Sequence, residues 1–306
     1  MDNNGLLIIY TGGTIGMSKI DDRQNFLINK EEVLSNILSR LDLKKNDKVI
    51  LTKRIIDSSQ LDYEVINEIL EIIETEYLGF KGFLIVGGTN TMAYLQSLLK
   101  WHVLGLKKPI ILTGAIKSFD EDENEGLNNI KFAINQLESN IDTGIIGIAM
   151  NNQLLLYPTS KINSTSTSPY IEIKNSSLEK DRQEISDFDA KLKVTYLKDV
   201  KVEIIYQNPF MFIDESCPLS DGLLILAYGQ GTFKNDLDFK NRVKKYSSMN
   251  KPVVVISQCI YNNLDVGQYF SGTLMEGMNV EYCSGSGIEE GLAYLNYLIN
   301  NNILLC

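Results

Sequence analysis

Two glycine-rich turns, each followed by threonine, are the segments of this 306-residue sequence best suited to chemistry. Thr11-Gly12-Gly13-Thr14 follows the apolar run Leu6–Tyr10, and Gly87-Gly88-Thr89 follows the apolar run Phe83–Val86. Such runs are typical of buried parallel strands, and open α/β sheets bind ligands beyond the carboxyl ends of their strands. Two threonine hydroxyls at the carboxyl ends of these strands predict that one acts as a nucleophile and the other as its hydroxyl partner.

Two further polar segments follow predicted strands. In Asp57-Ser58-Ser59-Gln60, hydroxyl and backbone N–H groups could hold a carboxylate, although the segment taken alone favours an ordinary helix N-cap. Lys161 taken alone would be a solvated surface charge. The first threonine turn lacks the spacing of the common glycine-rich phosphate-binding motifs, so a phosphate site is disfavoured.

The scarcity of histidine limits the possible catalytic machinery. His102 is the only histidine, and its neighbours Trp101 and Val103 indicate helix packing rather than catalysis. A multi-histidine zinc site is excluded and a Ser-His-Asp or Cys-His mechanism is disfavoured, which leaves Lys, Asp, Glu, Tyr or a threonine network as general base. The cysteines lack metal-ligand spacing, which predicts reduced thiols in a cytoplasmic protein. They are Cys217, Cys259, Cys283 and Cys306.

The charge balance disfavours two classes of partner. The chain carries 29 basic and 39 acidic residues, a formal net charge of −10, which opposes binding to nucleic acid and to anionic membranes. No apolar run is long enough to span a bilayer, and the start Met1-Asp2-Asn3-Asn4 does not resemble a signal peptide. We therefore expect neither a nucleic-acid nor a membrane partner.

Alternating strand and helix patterns predict an α/β fold built on a doubly wound, mostly parallel sheet with right-handed crossovers. The predicted strands are Leu6–Tyr10, Val49–Leu51, Phe83–Val86, Ile110–Thr113 and Ile145–Met150. The predicted helices are Glu31–Leu41, Tyr63–Tyr77 and Thr91–Leu104, with Asn90 as the expected N-cap of the last. The polar segment Asp21–Asn25 predicts a mobile loop that closes over the site.

The sequence further predicts two α/β domains of unequal size. A larger N-terminal catalytic domain covers residues 1–185, a linker covers 186–199, and a smaller C-terminal domain covers 200–306. Residues 162–189 are rich in serine, asparagine and charge, which predicts loops that lead into the linker. The elements predicted for the smaller domain are the strands Gly222–Ala227 and Pro252–Ser257 and the helices Leu237–Tyr246 and Ile288–Ile299.

Taken together in their order, these segments resemble the bacterial-type L-asparaginase family, most closely its cytoplasmic type I branch. Two signatures carry the resemblance: Tyr10-Thr11-Gly12-Gly13-Thr14-Ile15-Gly16-Met17, and Gly87-Gly88-Thr89-Asn90-Thr91-Met92-Ala93-Tyr94. Weaker agreement comes from Asp57-Ser58-Ser59, Leu112-Thr113-Gly114-Ala115, Ser160-Lys161, Ala227-Tyr228-Gly229-Gln230-Gly231 and Val255-Ile256-Ser257-Gln258-Cys259. The resemblance extends over nearly the whole chain.

The resemblance implies hydrolysis of L-asparagine to L-aspartate and ammonia, without a metal or cofactor. Thr14 would attack the side-chain amide, and Thr89 with Lys161 would handle protons. The Thr89 N–H would stabilise the oxyanion, a contribution worth about 3–4 kcal/mol where it has been measured. Ser58 and Ser59 would hold the α-carboxylate of the substrate. Asn90 and Ala115 complete the implied substrate site, and the family predicts a homodimer or homotetramer.

Four departures from the family pattern change what the resemblance implies. Asn90 replaces an aspartate that would grip the α-ammonium of free asparagine, a loss of roughly 1.5–3 kcal/mol for a charge-assisted bond. Phe26 is the nearest match to a loop tyrosine that assists the nucleophile. Glu123-Asn124-Glu125-Gly126 stands where the family has Ser-(Ala/Asp)-Asp-Gly, and Leu226-Ala227-Tyr228-Gly229 lacks the arginine of an effector site.

Several alternatives therefore stay open at the level of sequence. One is an amidase for an asparagine that lacks a free α-ammonium, such as an acylated or peptide-bound one. Others are a weakly active or non-catalytic asparagine-binding homologue, including a sensor of asparagine or aspartate, and an amidase subunit that supplies ammonia to a tRNA-modifying assembly.

Overall fold

The computed structural model describes residues 5–19, 26–28, 41, 43–118, 125–139, 144–188 and 191–305. Its contacts divide the chain into two compact units. The N-terminal unit comprises Met1–Leu156, Lys161–Ile171 and Ser186–Val194, and the C-terminal unit comprises Tyr157–Ser160, Glu172–Ile185 and Thr195–Cys306.

Sixteen strands and six helices are described. The strands are β1 (Leu6–Gly12), β2 (Met17–Lys19), β3 (Phe26–Ile28), β4 (Lys48–Ile56), β5 (Gly82–Val86), β6 (Val103–Leu104), β7 (Ile110–Thr113), β8 (Ile146–Met150), β9 (Gln153–Leu155), β10 (Thr159–Lys161), β11 (Tyr170–Glu172), β12 (Lys193–Val194), β13 (Val202–Tyr206), β14 (Gly222–Ala227), β15 (Val253–Ser257) and β16 (Glu281–Tyr282). The helices are α1 (Tyr63–Glu76), α2 (Met92–His102), α3 (Gly126–Glu138), α4 (Ser177–Phe188), α5 (Leu237–Ser248) and α6 (Ile288–Asn301). None of these described helices has the length and apolar character needed to cross a bilayer.

A six-stranded sheet forms the centre of the N-terminal unit, in the order β4-β1-β5-β7-β8-β9. Every pairing in it is parallel except that of β8 with β9. Strands β1, β5, β7 and β8 are buried along their whole length, as expected for parallel strands covered on both faces. The predicted mostly parallel sheet is confirmed, and β7 has the predicted bounds.

Helices cover both faces of this sheet, which confirms the doubly wound arrangement. On one face, Ile130 and Ala133 of α3 pack with Leu6 and Ile8 of β1 in a shared core. On the other face, Met92 of α2 lines a small cavity together with residues of β5 and β7. Because successive side chains of a strand alternate between faces, the apolar runs of these strands supply both cores.

The C-terminal unit contains a second, four-stranded parallel sheet in the order β13-β14-β15-β16. Phe239 and Val243 of α5 pack in one core with Ile205 of β13 and neighbouring strand residues. On the α6 side, Gly291 lies close to Leu224 of β14. The predicted α/β character of this region is confirmed.

The structure corrects two predictions about local elements. Residues 162–189 contain β11 and α4, where the sequence predicted only loops. The α4 helix is supported by a cap, because Ser176 Oγ accepts a hydrogen bond from the Glu179 N–H at 3.1 Å. The N-cap of α2 is Thr91 rather than Asn90, and its side chain makes no capping bond.

Other predictions concern the domain boundary, the linker and the segments near the N-terminus. Residues 172–185 pack with the C-terminal unit, so the packing does not follow the predicted boundary at 185. The functional assignment of the domains and the linker at 186–199 stay predictions. Apart from Leu41, the predicted helix Glu31–Leu41 lies outside the described residues, and so does the predicted loop Asp21–Asn25.

The carboxyl ends of β1, β5 and β7 meet through direct backbone contacts. The Gly13 N–H donates to the Ile56 carbonyl at 2.9 Å, and Gly13 has φ +85°. A Cβ on Gly13 would lie 2.3 Å from the Gly88 nitrogen, and one on Gly114 would lie 2.1 Å from the Gly87 oxygen. No side chain fits at these positions, so glycine allows the turns to touch.

Replacing Gly13 by alanine should destabilise the protein by roughly 2–4 kcal/mol, because backbone strain at positive φ adds to a steric clash with Gly88. Urea unfolding followed by circular dichroism measures the change. Gly229→Ala is the matched control, since a Cβ there meets no atom within 4 Å. Equal effects of the two substitutions would contradict the claimed contact.

Candidate functional site

The two threonines lie one residue beyond the point where the glycine turns touch. Thr14 follows Gly13 and begins the 3-10 turn Thr14–Gly16, and its side chain is half-buried. Thr89 follows Gly88 and is buried, with 6% of its surface exposed. Consecutive Cα atoms are about 3.8 Å apart, so the contact between the glycines brings both threonines to one edge of the sheet.

Lys161 links the second threonine to its neighbour. Lys161 ends β10 and belongs to the N-terminal unit. Its Nζ donates to Thr89 Oγ1 at 3.1 Å and to Asn90 Oδ1 at 3.0 Å. Partial burial lowers the pKa of the Lys161 ammonium below its ordinary value. The side chain is thus both placed against a hydroxyl and shifted toward its neutral form.

The segment around Ser58 lies against the same turn. Ser58 Oγ accepts a hydrogen bond from the Asn90 N–H at 3.3 Å, and Thr91 Oγ1 donates to the Ser58 carbonyl at 2.8 Å. Asp57 caps the 3-10 turn Ser58–Gln60 by accepting from the Ser59 N–H at 2.8 Å. The ordinary capping interpretation of this segment is therefore confirmed, and Ser59 remains exposed with its own N–H engaged.

The loop after β7 is held by the buried side-chain amide of Asn129. Asn129 Nδ2 donates to the Gly114 carbonyl at 2.9 Å, and Asn129 Oδ1 accepts from the Asn151 N–H at 2.9 Å. The side chain of Ala115 is fully buried within the core cluster that includes Ile130. A role of Ala115 in substrate binding stays a prediction.

Tyr170 is a site residue that the sequence analysis missed. Its hydroxyl donates to the Thr89 carbonyl at 2.6 Å, and its side chain is buried at 7% exposure. This bond fixes the Thr89–Asn90 peptide from one side while Ser58 holds its N–H from the other. The alternation Tyr170-Ile171-Glu172-Ile173 after Pro169 is a strand signal that could have identified this segment.

The structure therefore brings four of the predicted side chains into one hydrogen-bonded group: Ser58, Thr89, Asn90 and Lys161. Thr14 lies at the same edge of the sheet, because it follows Gly13, which contacts Gly88. The described residues contain no group of three or more His, Cys, Asp or Glu side chains suited to a metal ion. The side chain of Phe26 lies outside the described ones.

Tyr170→Phe should lower the free energy of unfolding by about 0.5–1.5 kcal/mol, the usual net value of one hydrogen bond. The buried Thr89 carbonyl loses the hydroxyl donor while the ring is kept. Chemical unfolding measures the loss, and Tyr261→Phe is the control because that ring is 73% exposed. If the two substitutions have the same effect, Tyr170 does not hold the Thr89 peptide.

A protein-family model described as "Asparaginase, N-terminal" matches residues 5–185. The chain is 23% identical over 321 residues to L-asparaginase 1 of Escherichia coli (strain K12), which covers 99% of this chain and 94% of that protein. It is 23% identical over 355 residues to an L-asparaginase of Dirofilaria immitis, covering 97% of this chain but 57% of that protein. The chain therefore spans just over half the length of that relative.

A third relative carries a different name. A glutamyl-tRNA(Gln) amidotransferase component of Thermoplasma acidophilum is 24% identical over 287 residues, covering 87% of this chain and 68% of that protein. Relatives with similar identity to this chain thus include both L-asparaginases and part of an amidotransferase.

Two solved structures share the fold. "The thermostable L-asparaginase from Thermococcus kodakarensis" aligns with a TM-score of 0.75 at 19% identity, covering 97% of this chain and 93% of that one. L-asparaginase I from Vibrio cholerae aligns with a TM-score of 0.74 at 20% identity, covering 98% and 94%. At these identities the alignments establish the architecture of the chain.

Proposed function

Because the chain belongs to the asparaginase family of amidohydrolases, we propose that it hydrolyses the side-chain amide of L-asparagine, giving L-aspartate and ammonia. The observation that carries this proposal is the bond between Lys161 Nζ and Thr89 Oγ1, 3.1 Å long, beside the contact of Gly13 with Gly88. It combines a hydroxyl, an amine of lowered pKa and a second threonine at one edge of the sheet.

In the proposed reaction, Thr14 Oγ1 attacks the amide carbon. The hydroxyl proton leaves through the Thr89–Lys161 pair and is delivered to the amide nitrogen, so that ammonia departs and an ester forms on Thr14. Water then hydrolyses the ester, with the same pair taking its proton, and aspartate is released. The backbone N–H of Thr89 is the proposed donor to the oxyanion of both tetrahedral intermediates.

The environment of Lys161 supports its role as a proton acceptor. An amine must be neutral to accept a proton, and burial lowers the pKa of Lys161. The fraction of Lys161 that is neutral therefore becomes substantial at a lower pH than that of an ordinary lysine. In the proposed mechanism, kcat/KM rises with pH as Lys161 loses its proton and levels off above that pKa.

The remaining site residues are proposed to hold the substrate. Ser58 and Ser59 would bind the α-carboxylate through their hydroxyl groups, although Ser58 Oγ already accepts from the Asn90 N–H. Asn90 is exposed at the end of the turn and would contact the α-amino end of the substrate. Ala115 would contribute through its backbone.

A second candidate substrate is favoured by the bond between Lys161 and Asn90. Asn90 Oδ1, the acceptor that an α-ammonium would need, already accepts from Lys161 Nζ at 3.0 Å. Asn90 carries no charge, and a free α-ammonium would approach a lysine amine beside it. An asparagine whose α-nitrogen is acylated or peptide-bound carries no cation there and avoids this cost.

The proposal also retains a cytoplasmic location and a homo-oligomeric state. The described cysteines Cys217, Cys259 and Cys283 are free thiols, which suits a reducing compartment.

Thr14→Ala should reduce kcat for ammonia release by roughly 10³-fold or more, because it removes the hydroxyl that forms the ester. Thr14→Ser keeps a hydroxyl and should retain more activity than Thr14→Ala. A coupled ammonia assay measures both, and Thr75→Ala, an exposed threonine on α1, is the control. Full activity of Thr14→Ala would contradict the assignment of the nucleophile.

If the wild type binds asparagine tightly in calorimetry but releases no ammonia from asparagine or N-acetyl-asparagine, the chain is a binding protein and the proposed hydrolysis is wrong.

Asn90→Asp should raise kcat/KM for free asparagine by roughly 10–150-fold, since a charge-assisted bond to the α-ammonium is worth about 1.5–3 kcal/mol. The new carboxylate next to Nζ should also raise the pKa of Lys161, which moves the acidic limb of the pH profile to higher pH. Turnover of N-acetyl-asparagine should not improve. Steady-state kinetics from pH 5 to 10 measure all three effects.

The charge-matched control for this variant is Asn135→Asp, which adds the same charge at an exposed position of α3. If Asn90→Asp leaves turnover of free asparagine at the level of the control, the neutral Asn90 does not determine the substrate.

A further inference from the structure

The side chain of Glu289 makes a short, buried hydrogen bond to the residue that precedes Lys161. Ser160 Oγ donates to Glu289 Oε2 at 2.6 Å. These two residues are 6% and 5% exposed, and both belong to the C-terminal unit. A length of about 2.5–2.7 Å is typical of an O–H···O bond to a charged carboxylate. Because successive side chains of a strand point in opposite directions, Glu289 holds β10 from the side opposite to the Lys161 side chain.

The strands β10 and β11 pair as a two-stranded sheet, and each carries one residue that holds Thr89. From β10, Lys161 Nζ donates to Thr89 Oγ1, and from β11 the Tyr170 hydroxyl donates to the Thr89 carbonyl. A bond from the Ile173 N–H to the Pro158 carbonyl, 2.8 Å long, closes one end of the pair. A shift of this two-stranded sheet would therefore displace both groups from Thr89.

The first turn of α6 lies directly against these strands. Gly287 is the N-cap of the helix, and a Cβ there would lie 2.6 Å from Ser160 Oγ and 2.8 Å from Ile173 Cδ1. Glycine is needed at this position because no side chain fits in the contact. Leu295 of the same helix is fully buried, so α6 is fixed in the core of the C-terminal unit. The helix therefore gives Glu289 a rigid base.

We propose that Glu289 is a positioning residue of the active site: its bond to Ser160 fixes β10, and β10 aims the Lys161 amine at Thr89. This role rests on the proposed function, in which the Thr89–Lys161 pair handles the proton. The lysine side chain is long and flexible, so its amine is placed accurately only if its backbone is fixed. Proton transfer needs a heavy-atom separation of about 2.6–3.2 Å. The 3.1 Å between Lys161 Nζ and Thr89 Oγ1 is near the upper limit, so a small shift of β10 would break the contact.

A second bond of the same kind allows a matched comparison. Ser176 Oγ donates to Glu290 Oε2 at 2.7 Å, and both residues are buried. Glu290 follows Glu289 in α6, but Ser176 precedes α4 and lies outside β10 and β11. If these buried bonds served only stability, the loss of either would have the same kind of effect. The proposed role requires that only the bond at Ser160 affects Lys161.

The first test compares Ser160→Ala with Ser176→Ala in ammonia release from asparagine and N-acetyl-asparagine. Ser160→Ala should lower kcat roughly 10-fold with little change in KM, because a displacement of about 1 Å at a reacting group can cost about 100-fold in rate. Ser160→Thr keeps the hydroxyl and should restore most of kcat. Ser176→Ala should lower stability in urea unfolding but not kcat. Equal losses of kcat in the two alanine variants, or no recovery in Ser160→Thr, would overturn the proposal.

A double variant shows whether the effect comes from Glu289. Glu289→Leu removes the acceptor and should lower kcat at least as much as Ser160→Ala does. In the Glu289→Leu background, Ser160→Ala should cause no further loss, because the two substitutions remove the same bond. Additive losses would mean that Glu289 does not act through Ser160, and the proposed role would be wrong.

A third test does not need catalysis. The pH dependence of acetylation at Lys161, followed by mass spectrometry, gives the pKa of its amine, which partial burial lowers. Ser160→Ala should raise this pKa, because a displaced amine is more exposed to water, and Ser176→Ala should leave it unchanged. An unchanged pKa in Ser160→Ala would overturn the positioning role. If the wild type releases no ammonia but Ser160→Ala still raises the pKa, the proposed function is wrong and the hold of Glu289 on Lys161 is supported.

Discussion

The contact between the backbones of Gly13 and Gly88 is the constraint on which the rest of the site depends. It joins the ends of β1 and β5 so closely that no Cβ fits between them. This backbone contact brings the two threonines that follow to one edge of the sheet. The Gly13 bond to Ile56 and the approach of Gly114 to Gly87 extend the same arrangement to neighbouring strands. Sites built on rigid elements in this way are more precise than sites held by long loops.

Around this backbone frame, polar side chains fix one peptide. The Thr89 carbonyl is held by Tyr170, and the Asn90 N–H is held by Ser58. Lys161 then bridges the two side chains of that peptide. In this arrangement a neutral Asn90 has two consequences. It places a neutral amide oxygen rather than a carboxylate against Lys161 Nζ, and it offers no charge to a substrate that carries a free ammonium.

Much of the fold could be predicted from the sequence, because buried parallel strands appear as apolar runs between turn residues. The runs at Phe83–Val86 and Ile110–Thr113 agree closely with β5 and β7. The helix α4 was missed because its surface is mostly polar, and its signal was the Ser176–Glu179 cap rather than periodicity. The pairing of Thr89 with Lys161 followed from family resemblance, whereas the bond of Lys161 to Asn90 was not predicted. The contribution of Tyr170 could not be predicted in this way, since the contact joins residues 81 positions apart.

The central claim is that Thr14 carries the acyl group, and acid-quenched mass spectrometry tests it most directly. Trypsin releases Thr14 in the peptide that ends at Lys19, and Thr89 in the peptide Gly82–Lys100. After rapid mixing with asparagine or N-acetyl-asparagine, the account predicts an adduct with the mass of the substrate minus ammonia, localised by fragmentation to Thr14. An adduct on Thr89 in place of Thr14 would contradict it.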